Sequence, residues 1–177
     1  QGRRTAWTGL TTQTDAPGWR GVATADFSGD AKIDLVFQHD DGTLALWLLD
    51  GVNLVAAELL DPANPGDRDW RVVGTGDFDA NGKPDLLFQH RDVTFAVRHL
   101  NGARLESASL LDPNRPGDER WRVRAVADLN QDGKPDLVFQ HERDGSIAAW
   151  MMNGKLLVAA QMLDSSNPGE SWRIARP

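Results

Sequence analysis

The chain has no cysteine and no tyrosine among its 177 residues. Without cysteine it has no disulfide framework and no thiol chemistry, which leaves its redox compartment open and fits a bacterial secreted protein. No apolar run is long enough to span a membrane, so membrane insertion is not expected. No basic stripe is present to track a nucleic-acid backbone, and nucleic acid is excluded as a partner. Gln1 to Leu10 carry no charged and apolar leader pattern, as expected of a processed or truncated start. No Ser-His-Asp order and no paired glutamates present a catalytic set, so the chain is not read as an enzyme.

What the chain does have is repetition. SGDAKIDLVFQH at 28–39, DANGKPDLLFQH at 79–90 and NQDGKPDLVFQH at 130–141 follow one another at steps of 51 residues. Trp19, Trp70, Trp121 and Trp172 keep the same step, as do Asp26, Asp77 and Asp128, and Asp34, Asp85 and Asp136. The third copy is one residue longer between Gln140 and Gly154, and the step to the next tryptophan is one shorter. An insertion at Glu142 to Asp144 and a loss near Pro168-Gly169 therefore cancel, which puts both changes in loops. A constant period of this length marks a repeat architecture.

The net charge of −7 is unevenly spread. Asp26, Asp30, Asp34, Asp77, Asp79, Asp85, Asp128, Asp132 and Asp136 contribute nine negative charges, which leaves +2 for the rest of the chain. The acidity belongs to three loops, not to a tail.

In the second copy, Trp70 to Thr75, Asp85 to Gln89, Thr94 to Leu100 and Arg104 to Leu111 read as strands. They are short, rich in Val, Leu and Phe, and separated by Asn-Gly, Asp-Pro and Pro-Gly turn signals. The second strand, with Leu86-Leu87-Phe88 or Leu35-Val36-Phe37 or Leu137-Val138-Phe139, does not alternate, so both of its faces should be buried. Four short antiparallel strands per unit of about 50 residues, stacked face to face, predict an all-β fold of β-propeller blades. The units are 19–69, 70–120 and 121–171. A trailing strand of a preceding blade falls near Trp7 to Gln13 within 1–18, and 172–177 begin a further repeat. Kelch blades carry a Gly-Gly pair and a tyrosine that this chain lacks, and a WD40 unit is shorter. Three blades do not close a ring, so either the chain is a piece of a longer propeller or copies self-associate to complete one.

The repeated loop suits a hard cation. In the second copy Asp77, Asp79, Asn81 and Asp85 stand at positions 1, 3, 5 and 9, with the Lys83 carbonyl at position 7 and Gly82 at the turn. Ca²⁺ takes six to eight oxygens at about 2.3 to 2.6 Å, and alternate residues of a tight loop can direct them to one centre. An EF-hand would need a glutamate at position 12, which is Phe88, inside a strand. The third copy offers Asp128, Asn130, Asp132, the Lys134 carbonyl and Asp136. The first offers Asp26, Ser28, Asp30, the Lys32 carbonyl and Asp34, with a hydroxyl at position 3 and Ala31 where the others have glycine. A left-handed alanine costs about 1 to 2 kcal/mol, so of up to three Ca²⁺ sites the first should be the weakest. The competing reading is an Asx-turn, in which the carboxylates cap backbone N–H groups.

The pattern Asp-x-Asp-x-Asn-Gly-x-x-Asp-Leu at Asp77 to Leu86, its relative at Asp128 to Leu137 and the Trp-x-x-Asn-Gly hairpin at Trp150 to Gly154 resemble the FG-GAP/VCBS repeats of bacterial surface and secreted proteins and of integrin α-subunit propellers. The resemblance covers nearly the whole chain. It implies a propeller, usually seven-bladed, with Ca²⁺ in the loop joining the first two strands of each blade, held by the residues named above. The first copy departs at Ser28 and Ala31, and the second has Arg98 where the hairpin tryptophan is expected.

The function expected is a secreted or cell-surface module, bacterial in type, that binds or adheres to a protein or carbohydrate ligand outside the cell. Two rivals are a carbohydrate-binding lectin, using Trp47 and Trp150 as stacking platforms, and a non-catalytic scaffold attached to a secreted enzyme. Both tryptophans suit blade-to-blade core better. The Gln38-His39, Gln89-His90 and Gln140-His141 pairs could form a ring of ligands, but at the ends of buried strands they suit the satisfaction of neighbouring backbone groups better.

Overall fold

The chain alternates runs of six or seven residues rich in Val, Leu, Ala and Phe with turns built on left-handed glycines, and each run becomes a strand. The computed structural model describes residues 17–163 and 172–174. Twelve strands follow in order, with no helix among the described residues: β1 (Trp19–Ala25), β2 (Asp34–His39), β3 (Leu44–Asp50), β4 (Asn53–Leu59), β5 (Trp70–Gly76), β6 (Asp85–His90), β7 (Phe95–Asn101), β8 (Arg104–Leu110), β9 (Trp121–Ala127), β10 (Asp136–His141), β11 (Ile147–Asn153) and β12 (Leu156–Met162). They form three separate four-stranded antiparallel meanders, β1 to β4, β5 to β8 and β9 to β12. These are three blades of a β-propeller. The strands expected of the second copy are found to within one residue at each end.

Each blade repeats its neighbours' irregularities. One extra residue bulges the first strand, at Val22, Val73 and Arg124, and another bulges the fourth, at Val55, Glu106 and Val158. Bulges increase local twist, which lets successive blades fan out. The first strands of adjacent blades approach closely. A Cβ on Gly74 would stand 2.3 Å from Cγ2 of Val126, so β5 requires glycine there to lie beside β9.

The core lies between sheets. Val36, Leu44 and Leu46 of the first blade pack against Val72, Leu86 and Phe88 of the second. Leu87, Phe95 and Val97 of the second pack against Val123, Leu137, Phe139 and Trp150 of the third. Side chains alternate across a strand, so Leu86 and Phe88 serve one interface while Leu87 serves the other. In β6 all three are buried, as expected of a strand covered on both faces. In β2 burial alternates, because Leu35 and Phe37 point away from the second blade. Burial of the whole apolar triplet thus belongs to the middle blade alone among those described, because Val138 of β10 is only half-buried.

Polar groups tie the blades as well. Gln38 Nε2 donates to the Trp70 carbonyl at 2.9 Å while its Oε1 accepts Val72 N–H at 3.1 Å. Gln89 donates to Trp121 O at 3.1 Å. Gln140 donates to Trp172 O at 3.1 Å and accepts Ile174 N–H at 3.0 Å, so 172–174 occupy the place that β5 and β9 hold in the earlier repeats. On the outer side Asp61 and Asp112 exchange backbone bonds with the next blade's hairpin, at Ala103 and Leu105 and at Lys155 and Leu157. The glutamines satisfy neighbouring backbone, and His39, His90 and His141 each tilt against the tryptophan that opens their blade, with ring centroids 4.9–5.1 Å apart. Trp19, Trp70 and Trp121 are half-buried by this stacking, and Trp172 is 67% exposed. The third-copy insertion lies in the turn between β10 and β11, while the compensating loss and the strand near Trp7 to Gln13 fall outside the described residues.

Candidate metal centre

The three acidic loops join the first and second strands of their blades, at 26–33, 77–84 and 128–135. Their backbones share one conformation. Positions 4 and 6 are both left-handed in every copy: Gly29 and Ala31 in the first, Ala80 and Gly82 in the second, Gln131 and Gly133 in the third. Each loop therefore holds one glycine and one strained residue at these two positions. Ala31 does take the left-handed conformation expected to weaken the first loop, but Ala80 and Gln131 bear the same penalty. The backbone ground for ranking the first site last is removed.

The position-1 carboxylate collects N–H groups. Asp26 Oδ1 accepts from Gly29 at 2.7 Å and Asp30 at 3.1 Å, and its Oδ2 accepts from Ala31 at 2.7 Å. Asp77 and Asp128 accept in the same way from Asn81 and Gly82, and from Asp132 and Gly133. Desolvation pushes the Asp26 carboxyl up, but N–H bonds from Ala31, Gly29 and Asp30 outweigh it and hold the group below the usual carboxylate range. Asp30, Asn81 and Asp132 at position 5 each cap the N–H of the lysine at position 7. The chemistry of an Asx-turn is present in all three loops.

The position-9 carboxylates are different. Asp34, Asp85 and Asp136 each open a second strand and are 0% exposed. Asp34 accepts from Phe27, Ser28 and Leu49 N–H, Asp85 from Phe78 and Leu100, and Asp136 from Leu129 and Met152. Each thereby pins the acidic loop to the third strand of its own blade. Among the described residues no Lys, Arg or His side chain pairs with Asp34 or Asp136, whereas His99 Nδ1 lies 2.9 Å from Asp85 Oδ2. Burial pushes the Asp85 carboxyl up, against the opposing bonds from His99, Leu100 and Phe78.

The loops also differ in which side chains they bring together. In the second, Asp79, Asp85 and His99 offer ligand atoms all within 4.8 Å of one another. Asp26, Asp30 and Asp34 form no such trio, nor do Asp128, Asp132 and Asp136. In the first loop the Lys32 ammonium stands 3.6 Å from Asp30 and 2.9 Å from Asp50, and already offsets part of the loop's charge. Ser28 Oγ bonds Asp26 at 3.3 Å, Asn81 Nδ2 bonds Asp79 at 3.0 Å, and Asn130 Nδ2 bonds Asp132 at 3.3 Å. The first and third loops fit a hard cation in kind, with carboxylate, hydroxyl and amide oxygens at one end of the blade, while the second adds the His99 nitrogen to its oxygens.

His99 was not among the expected ligands. It precedes the residue whose N–H binds the buried aspartate, a place held by Leu48 in the first blade and Met151 in the third. That one polar residue in an apolar column is the signal in the sequence, legible once the third copy's extra residue is allowed for.

Trp150 is 7% exposed, packed between blades with its ring centroid 4.9 Å from Phe139 and 6.1 Å from Phe95. Trp47 is half-buried on the face of the first blade turned from the second, 4.7 Å from Phe37. Arg98, at the aligned place, is buried over the Phe88 ring and donates to the carbonyls of Pro62 and Asn64.

No known protein-family model matches the chain. Over 136 residues, 69% of this chain, it is 28% identical to cartilage acidic protein 1 of Homo sapiens and of Xenopus tropicalis, and 27% identical to that of Mus musculus. The chain spans about 20% of the length of these relatives.

Proposed function

We propose that the chain is part of a calcium-binding propeller of the FG-GAP/VCBS type, working outside the cell as a binding or adhesion module and not as an enzyme. The observation that carries this reading is the pair Asp34 and Asp136, fully buried carboxylates that no cationic side chain among the described residues pairs with. Among those residues N–H dipoles offset their charge, in loops that hold two further carboxylates each. A divalent cation seated on the loop supplies the missing positive charge. Asp26, Ser28, Asp30 and Asp34 with the Lys32 carbonyl would hold it in the first blade. Asp77, Asp79, Asn81, Asp85 and the Lys83 carbonyl would do so in the second, and Asp128, Asn130, Asp132, Asp136 and the Lys134 carbonyl in the third. The bound ion's role is structural: it holds the loop against the third strand of its blade. Extracellular calcium is high enough to fill such sites even when they are weak.

The test is the melting temperature in calcium against excess chelator. At free Ca²⁺ 100 times Kd each site adds about 2.7 kcal/mol. Calorimetry should show the first site to bind calcium more weakly than the third, because Ser28 offers only a hydroxyl and Lys32 competes for Asp30. Identical melting curves with calcium and with chelator refute the proposal.

A further inference from the structure

Two of the three loops present only oxygen to a cation, and the second does not. At the third-strand position facing the loop, the first blade has Leu48 and the third Met151, while the second has His99, its side chain 13% exposed. Nδ1 of His99 is directed into the loop, 2.9 Å from Asp85 Oδ2 and 3.7 Å from Asp79 Oδ2. Ligands of a four-coordinate zinc at about 2.0 to 2.1 Å stand roughly 3.3 to 3.4 Å apart, which falls between these two separations. Asp85 Oδ2 accepts one backbone bond, from Phe78 at 2.9 Å, and keeps a lone pair for a metal in place of the histidine bond. Asp79 is partly exposed, so a further coordination position opens to water.

Calcium is a poor match for this donor set. It takes oxygen, whereas an imidazole nitrogen beside carboxylates suits zinc and the neighbouring first-row divalent metals. We infer that the loop of the second blade is a mixed nitrogen–oxygen centre, Asp79–Asp85–His99, selective for a transition-metal dication such as Zn²⁺, while the flanking loops remain all-oxygen. With its proton on Nε2, His99 presents the Nδ1 lone pair to the ion. The inference rests on the reading of these loops as cation sites and assigns the middle one a different ion.

The test is Zn²⁺ binding to the chain in a large excess of Ca²⁺, by calorimetry, with Co²⁺ replacing Zn²⁺ as a visible-absorption probe. One Zn²⁺ per chain is expected, with Co²⁺ bands typical of nitrogen and oxygen donors. His99→Leu, which installs the first blade's own residue, should weaken Zn²⁺ at least about tenfold and abolish the Co²⁺ bands. Asp79→Asn should weaken it as well, with both variants keeping the far-ultraviolet spectrum of the parent. Asp67, Asp69 and His90 form a second trio, with His90 Nε2 3.6 Å from Asp67 and its Nδ1 held by Asp92 at 2.7 Å, and this is the competing site the variants must separate. Zn²⁺ binding that survives His99→Leu, or that is lost on His90→Asn instead, overturns the inference. Absence of Zn²⁺ binding overturns it too. A Ca²⁺ titration of His99→Leu separates that failure from failure of the calcium reading, because the first and third loops are unaltered in this variant.

Discussion

Replacing Trp150 with alanine distinguishes a propeller core from a sugar-binding platform. The indole is 7% exposed, crosses from β11 to the second blade, and touches Phe95 and Phe139. Its removal leaves a hole between two sheets, in a cluster that also holds Leu87, Leu137 and Met152. Truncation of a buried tryptophan costs about 3 to 5 kcal/mol when the site cannot collapse, which for a chain of this size lowers the melting temperature by roughly 6 to 20 °C. The equivalent Trp47 is half-buried on a face that no described blade covers, so Trp47→Ala should cost less than about 2 kcal/mol. The measurement is urea unfolding of both variants at fixed calcium, beside glycan-array binding of the folded proteins. A Trp150→Ala protein with parental stability and a selective loss of glycan binding refutes the core assignment.

Two other outcomes follow from the geometry. Gln89→Ala removes the amide that donates to Trp121 O and leaves that carbonyl to the Arg122 side chain, which donates to it at 3.1 Å. It should cost about 0.5 to 1.5 kcal/mol and raise hydrogen exchange along β9, and unchanged exchange there would show the link to be idle. Ala31→Gly and Ala80→Gly each relieve one left-handed alanine. After glycine's own entropic penalty each should gain about 0.5 to 1 kcal/mol, and by the same amount; a gain confined to Ala31→Gly would restore the expectation that only the first loop is strained.

The parts of this fold legible in sequence are those that repetition states three times. The 51-residue step, the four strands per unit and the apolar triplet of each second strand all recur in one chain, so a local accident in one copy is corrected by the other two. The parts that were not legible concern single copies. Whether Leu35 and Phe37 are covered depends on what lies beside the first blade, which no residue within that blade encodes. The conformation of the acidic loop was hidden for a related reason. A glycine at position 6 in two copies reads as the one special turn, and Gly29 reads as incidental. Only the φ angles reveal two left-handed positions, with glycine serving one in the first loop and the other in its relatives.

That exchange bears on how these loops diverge. Because positions 4 and 6 both turn left-handed, a glycine at either relieves only half of the strain, and each loop keeps the other half while preserving the same N–H donors to Asp26, Asp77 or Asp128. Loop shape is thus insensitive to where the glycine stands. It is sensitive to the aspartate at position 9, whose two oxygens join the loop to the third strand of each blade and whose burial is complete in all three. Substitution can then accumulate around a fixed carboxylate: serine for aspartate at position 3 in the first blade, and histidine for leucine or methionine across the loop in the second. The backbone stays the same from blade to blade, and the chemistry offered to an ion changes with the side chains set around it.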